Sequence, residues 1–203
     1  EGHWLGEAEN ALFDNESLSA CRKIEKAQFP LEIRSKAGKD AKKMYTAKAK
    51  DEIRLVFADI ALMSSKKHKN DASCFGIMRL TPNSAKNDYL RDICYLESWT
   101  GQHSEATALQ IRKLYDEFDC DYIVMDANGV GLPIFDLLVG NTLVDNATGV
   151  EYQPLACCND SEMNERCLYP NNPKVIWSIK AYAQLNSDMA IYLQNAINSR
   201  KLR

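Results

Sequence analysis

The amino-acid sequence predicts an α/β fold on a five-stranded mixed sheet, three antiparallel strands followed by helices alternating with parallel strands. Three observations carry this. Apolar runs over residues 53–63 and 72–80 flank a short polar stretch, Ser64–Asp71, as in a hairpin. A third run with rough alternation, Asp88–Trp99, follows a turn at Pro82-Asn83-Ser84. Beyond it, helical and strand-like periodicities alternate to residue 199.

The elements follow in order. Residues 1–16 read as irregular, and Phe13-Asp14-Asn15-Glu16 offers a helix N-cap. A short helix through Leu18, Cys21 and Ile24 is expected to end before Pro30. Residues 34–52 are rich in Lys and Ala and read as an exposed, partly helical connector, so residues 1–52 form a connector segment and 53–203 the domain. After Thr100-Gly101-Gln102-His103-Ser104, the residues Ala108, Ile111, Leu114, Tyr115 and Phe118 recur at helical spacing. Tyr122–Asp126 reads as a short buried strand, residues 132–138 as a helix and residues 152–157 as the fifth strand. A long final helix over residues 173–199 would carry Val175, Ile176, Ile179, Tyr182, Leu185, Met189, Leu193 and Ile197 on one stripe. This order is the ribonuclease H-like arrangement, in which the first strand is central and the fourth lies beside it.

Bulk properties narrow the function. The 203 residues suffice for one domain with a sizeable core. No apolar run reaches the roughly 18 residues of a membrane span. The start, Glu1-Gly2-His3-Trp4-Leu5-Gly6, lacks the basic and apolar regions of a signal peptide and reads as part of a longer chain. A net charge of −3 argues against a protein that coats nucleic acid non-specifically. Yet residues 21–70 hold 14 Lys/Arg against 6 Asp/Glu. That block is either a solvated face or a guide for a polyanion. The seven cysteines, Cys21, Cys74, Cys94, Cys120, Cys157, Cys158 and Cys167, are odd in number and irregularly spaced. They fit a reducing compartment rather than a disulfide framework, and no CxxC or His-x-His spacing supports a zinc site.

The chemistry concentrates in two stretches. In Arg54-Leu55-Val56-Phe57-Ala58-Asp59 and in Tyr122-Ile123-Val124-Met125-Asp126, an apolar strand ends in an acid. The second runs into Ala127-Asn128-Gly129-Val130-Gly131. Strand carboxyl ends are where α/β sheets place their sites. Burying an unpaired charge is costly, so an acid in such a strand calls for a reason. Two carboxylates without a His or Cys partner favour hard Mg²⁺ or Mn²⁺, and a pair of such ions about 4 Å apart supports phosphodiester cleavage. Asp71, at the end of the hairpin turn, is a third candidate. Glu97 and Glu105 have simpler readings, as a cross-strand partner and as a first-turn helix acid. Gly129 and Gly131 allow either backbone approach to an anion or a tight turn. Lys66, Lys67 and Lys69 at the hairpin tip are either phosphate contacts or solvated. There is no Gly-x-x-x-x-Gly-Lys-Ser/Thr sequence, hence no P-loop.

Asp59-Ile60-Ala61, Asn70-Asp71-Ala72-Ser73 and Tyr122-Ile123-Val124-Met125-Asp126-Ala127-Asn128-Gly129-Val130-Gly131, in that order, resemble the nuclease domain of tailed-phage terminase large subunits. Trp4-Leu5-Gly6 through Ala11-Leu12-Phe13 resembles the stretch that joins that family's ATPase domain to its nuclease. The resemblance implies a two-metal endonuclease, using Mg²⁺ or Mn²⁺, that cuts concatemeric viral double-stranded DNA during packaging in the host cytoplasm. It implies Asp59 and Asp126 as metal ligands and catalytic acids, with Asp71 as a neighbour. Its implied partners are an ATPase domain, a small terminase subunit and a portal, with no membrane. The family's third acid lies in a segment that would follow Lys201-Leu202-Arg203, so residues 1–203 are expected to bind metal weakly and to nick DNA poorly. The alternatives are another ribonuclease H-like enzyme, such as a resolvase or transposase core, and a non-catalytic module that docks on DNA or portal.

Overall fold

In the computed structural model, which describes residues 13–61, 72–83, 88–169 and 171–203, the chain opens with two short helices, α1 (Asn15–Cys21) and α2 (Leu31–Lys36). Asp14 caps α1, its carboxylate accepting the Ser17 N–H at 2.6 Å. A 3₁₀ segment, Gly38–Met44, follows. This stretch is laid against the domain. The Gln28 N–H donates to the Cys94 carbonyl, and Phe29 and Tyr45 pack on the core. Three of its lysines are ion-paired: Lys36 to Glu32, Lys43 to Asp40 and Lys48 to Asp121.

The sheet has strands β1 (Ile53–Asp59), β2 (Ser73–Asn83), β3 (Asp88–Trp99), β4 (Tyr122–Asp126), β7 (Ala156–Cys157) and β8 (Lys174–Ile179), in the spatial order β3-β2-β1-β4-β8-β7. β2 runs antiparallel to both neighbours, while β1, β4, β8 and β7 are mutually parallel. This is the ribonuclease H-like arrangement with a sixth strand at the edge. β5 (Leu143–Asp145) and β6 (Val150–Tyr152) form a separate hairpin. The helices α3 (Ser104–Glu117) and α4 (Leu132–Gly140) contribute Ala108, Ile111, Leu114, Phe135 and Leu138, all fully buried, to one core with Val56, Phe75, Ile77 and Ile123. The remaining helices are α5 (Ser161–Glu165) and α6 (Ala183–Asn198).

Four expectations change. The first strand stops at Asp59, before residue 63. β2 runs on through Pro82, which lies past Leu80, the last residue paired with β1, where the strand has an open side and a missing N–H is tolerated. Residues 152–157 divide between the β5–β6 hairpin and the edge strand β7, so the strand beside β4 is β8 instead. The final helix begins only at Ala183. Val175, Ile176 and Ile179 belong to a strand whose β-branched and aromatic residues pack on β4. Of the stripe residues that fall within α6 only Ile197 is buried, and Met189 and Leu193 are exposed.

One residue of β1 defies its apolar pattern. Arg54 is fully buried. Its guanidinium donates to Glu52 at 2.5 Å, to the Tyr45 hydroxyl at 3.1 Å and to the carbonyls of Phe118 and Thr46 at 3.0 and 2.7 Å. Arg79 grips the same Glu52 at 2.7 and 3.2 Å. Burial alone would push the Glu52 carboxyl up, but Arg79, Arg54 and the Ala49 N–H outweigh it and hold it at about 2, down from 4.5. A depressed folded-state value stabilises the fold above pH 4.5, and this contribution drains away as pH falls toward 2. Glu52→Gln leaves Arg54 buried without its counter-charge, and chemical denaturation at neutral pH should show a loss of roughly 3–5 kcal/mol. The variant should also lose part of the wild-type drop in stability between those pH values.

Candidate active site

The register between β1 and β4 builds the site. Phe57 lies opposite Val124 and Ala58 opposite Met125. One residue further along both strands stand Asp59 and Asp126, at the carboxyl edge. Neighbouring strands lie about 4.8 Å apart. Ala58 and Met125 point into the core at 6% and 1% exposure. Alternation therefore turns both acids to the other face of the sheet, shared with Phe57, Val124 and, next in register, Trp177 of β8. Asp59 is exposed and, among the described residues, its carboxylate has no hydrogen-bond or ion-pair partner. Asp126 is half-buried and accepts the Asn128 N–H at 2.8 Å through Oδ1.

The turn after β4 explains its glycines. Gly129 has a φ of +54°, where a side chain is strained. Gly131 folds back on the strand end so closely that a Cβ there would lie 1.8 Å from the carbonyl oxygen of Asp126. The Gly-x-Gly pattern thus has a backbone reason at both positions. It also fixes where Asp126 ends up.

The donor set suits a hard cation. Cys74 stands opposite Asp59 on β2, but burial pushes its thiol up, with help from the carboxylates of Asp59 and Glu97, so it stays protonated. Asp59 and Asp126 then present only carboxylate oxygens, as Mg²⁺ and Mn²⁺ prefer. Among the described residues, no group of three or more His, Cys, Asp or Glu side chains gathers as a metal cluster. Asp71, Lys66, Lys67 and Lys69, with Trp4-Leu5-Gly6 and Ala11-Leu12, lie outside the described residues.

The weaker candidates fall elsewhere. Glu97 is opposite buried Phe75 and so projects on the α3 side of the sheet, where it accepts from Tyr95 at 2.8 Å and Gln110 at 2.5 Å. Glu105 lines a cavity against Leu143 and Val144 of the small hairpin. Sequence reasoning missed Lys180, which follows β8 directly, and Arg166, just after α5. Both line a cavity of about 420 Å³ with Asn128 and Gly129 of the Asp126 turn. Reading residues 173–199 as one helix hid Lys180's place at the carboxyl edge. No helix among the described residues is long and apolar enough to cross a membrane.

No family model matches the chain, and no curated protein matches it. Solved structures do resemble it. The large terminase nuclease from thermophilic phage G20c with bound magnesium aligns over 96% of this chain and 74% of its own, with a TM-score of 0.49 and 17% identity. The form with bound cobalt aligns over 96% and 73%, with a TM-score of 0.48 and 17% identity. The form with bound zinc aligns over 92% and 79%, with a TM-score of 0.43 and 16% identity. The chain is similar to these nuclease domains along nearly its whole length.

Proposed function

We propose that this chain is a divalent-metal-dependent endonuclease domain that cuts double-stranded DNA during phage genome packaging. The observation that carries the proposal is the arrival of Asp59 and Asp126 at matching positions, each one residue past the pair Ala58–Met125, on the ends of two central parallel strands and on one face. The ordered motifs that resemble terminase large subunits support the packaging role. In that setting an ATPase domain, a small subunit and a portal are the partners, and DNA is the substrate.

Asp59 and Asp126 would hold Mg²⁺ or Mn²⁺. Such ions would supply activation of a water nucleophile and neutralisation of charge at the leaving oxygen of a phosphodiester. The protein's own part is positional. Gly129 and Gly131 set the Asp126 turn, and the Asn128 N–H fixes the carboxylate's orientation. Asp71 is proposed as a further acid of the site. Lys66, Lys67 and Lys69 are proposed as contacts to the DNA backbone.

The test is incubation with supercoiled plasmid and Mn²⁺, against EDTA. Metal-dependent nicking, slow in residues 1–203, that disappears in Asp59→Asn is the expected outcome. Nicking that persists in EDTA, or survives that substitution unchanged, overturns the reading.

A further inference from the structure

We propose that a groove along the carboxyl edge of the sheet, from the Asp126 turn to the start of α6, holds a single DNA strand. In it Lys180 binds a backbone phosphate, and Trp177 and Tyr182 stack an unpaired base. The inference rests on the nuclease reading and names how one strand of the duplex is held where it is unpaired beside the cut.

Two cavities adjoin there, of about 420 and 300 Å³, and Lys180 is a wall of both. The first contains Asn128 and Gly129, directly after Asp126. The second is lined by Trp177 and Tyr182. These rings are 50% and 61% exposed, so the core does not account for them. Trp177 lies opposite Val124, two residues before Ile179, the register partner of Asp126. It therefore sits on the sheet face of the two acids. Aromatic faces beside a cation are how sequence-tolerant sites hold single strands, since every base has a face to stack. A base inside a duplex has both faces covered, so the pair selects an unpaired nucleotide.

Lys180 is aimed, not loose. Its ammonium lies 2.9 Å from Glu162 and 3.2 Å from Asp160. These contacts, Glu162 first, raise its pKa, so the charge persists throughout the neutral range. Asp160, Glu162 and Glu165 also line the two cavities, so a phosphate oxygen reaches Lys180 by displacing Glu162, whose side chain is 81% exposed and turns out into solvent.

Oligothymidylate binding in EDTA tests this without cleavage. The wild-type protein should bind the single strand with quenching of tryptophan fluorescence. Trp177→Phe should abolish most of that quenching and keep most of the affinity, because phenylalanine still stacks. Trp177→Ala should weaken binding roughly 5- to 150-fold, the range for loss of one stacked base. Lys180→Ala should lower the salt dependence of binding by about one phosphate contact. Circular dichroism confirms that each variant is folded. Single-strand binding that is absent in the wild type, or equal in Trp177→Ala and wild type, overturns the subsite. If plasmid nicking by that variant still depends on Asp126, the nuclease reading stands alone. Trp177-dependent binding by a protein with no metal-dependent nicking keeps the subsite and removes the nuclease.

Discussion

Asp126→Asn should abolish Mn²⁺-dependent nicking while leaving the protein folded. Asparagine keeps the size and the Oδ1 acceptor, so the Asn128 N–H at 2.8 Å retains its partner and the turn survives. Only the charge is lost, and a hard cation needs it. Loss of an outer-shell partner costs roughly 10- to 100-fold in metal affinity or activity. Removing an inner carboxylate should exceed that. Thermal stability should be unchanged or slightly raised, because one of two like charges on adjacent strand ends is gone. Nicking assays and melting curves on the same preparation check both halves. Wild-type nicking by a folded variant would contradict the assignment, as would a collapse in melting temperature.

Gly131→Ala should have the largest effect on stability of any single methyl group near the site. Its Cβ would stand 1.8 Å from the Asp126 carbonyl oxygen, a backbone atom that cannot swing aside. Overpacking costs about 1–3 kcal/mol where side chains can adjust. This clash should cost roughly 3 kcal/mol or more, and any relief must move the end of β4 and Asp126 with it. Gly129→Ala is the control. There a Cβ meets nothing within 4 Å, and the cost is conformational, about 1–2 kcal/mol for the left-handed region. Urea denaturation of both variants should rank Gly131→Ala well below Gly129→Ala. Equal stabilities would mean that the turn is not packed on the strand as described.

Much of this architecture was legible in the residues. β3 and β4 fall where the rough alternation and the apolar run predict them, and β4 ends ahead of the Gly129 turn, whereas Pro82-Asn83, read as a turn, lie inside β2. β8 was not legible. Val175, Ile176, Ile179 and Tyr182 fit helical spacing, and no Gly or Pro separates Ile179 from Ala183. Only the burial of Ile176 against Ile123 tells strand from helix there, and that is a tertiary fact. The hairpin of β5 and β6 was hidden for a related reason. Its turn is held by the Asp145 side chain, which accepts from Ala147 and Thr148 and pairs with Lys113 of α3. Arg54 was invisible as a core residue because its partners are scattered over Tyr45, Thr46, Glu52 and Phe118. At the candidate site, the two acids could be named from strand endings alone. Their shared face follows from the register of β1 on β4, which no local pattern encodes.

The central claim is that Asp59 and Asp126 share a cation. The most direct measurement is an anomalous difference map from crystals of the protein soaked in Mn²⁺. The account predicts a peak bonded to a carboxylate oxygen of each residue, at about 2.0–2.6 Å, that vanishes in crystals of Asp126→Asn. A Mn²⁺ peak bound elsewhere with none between these two carboxylates would contradict it.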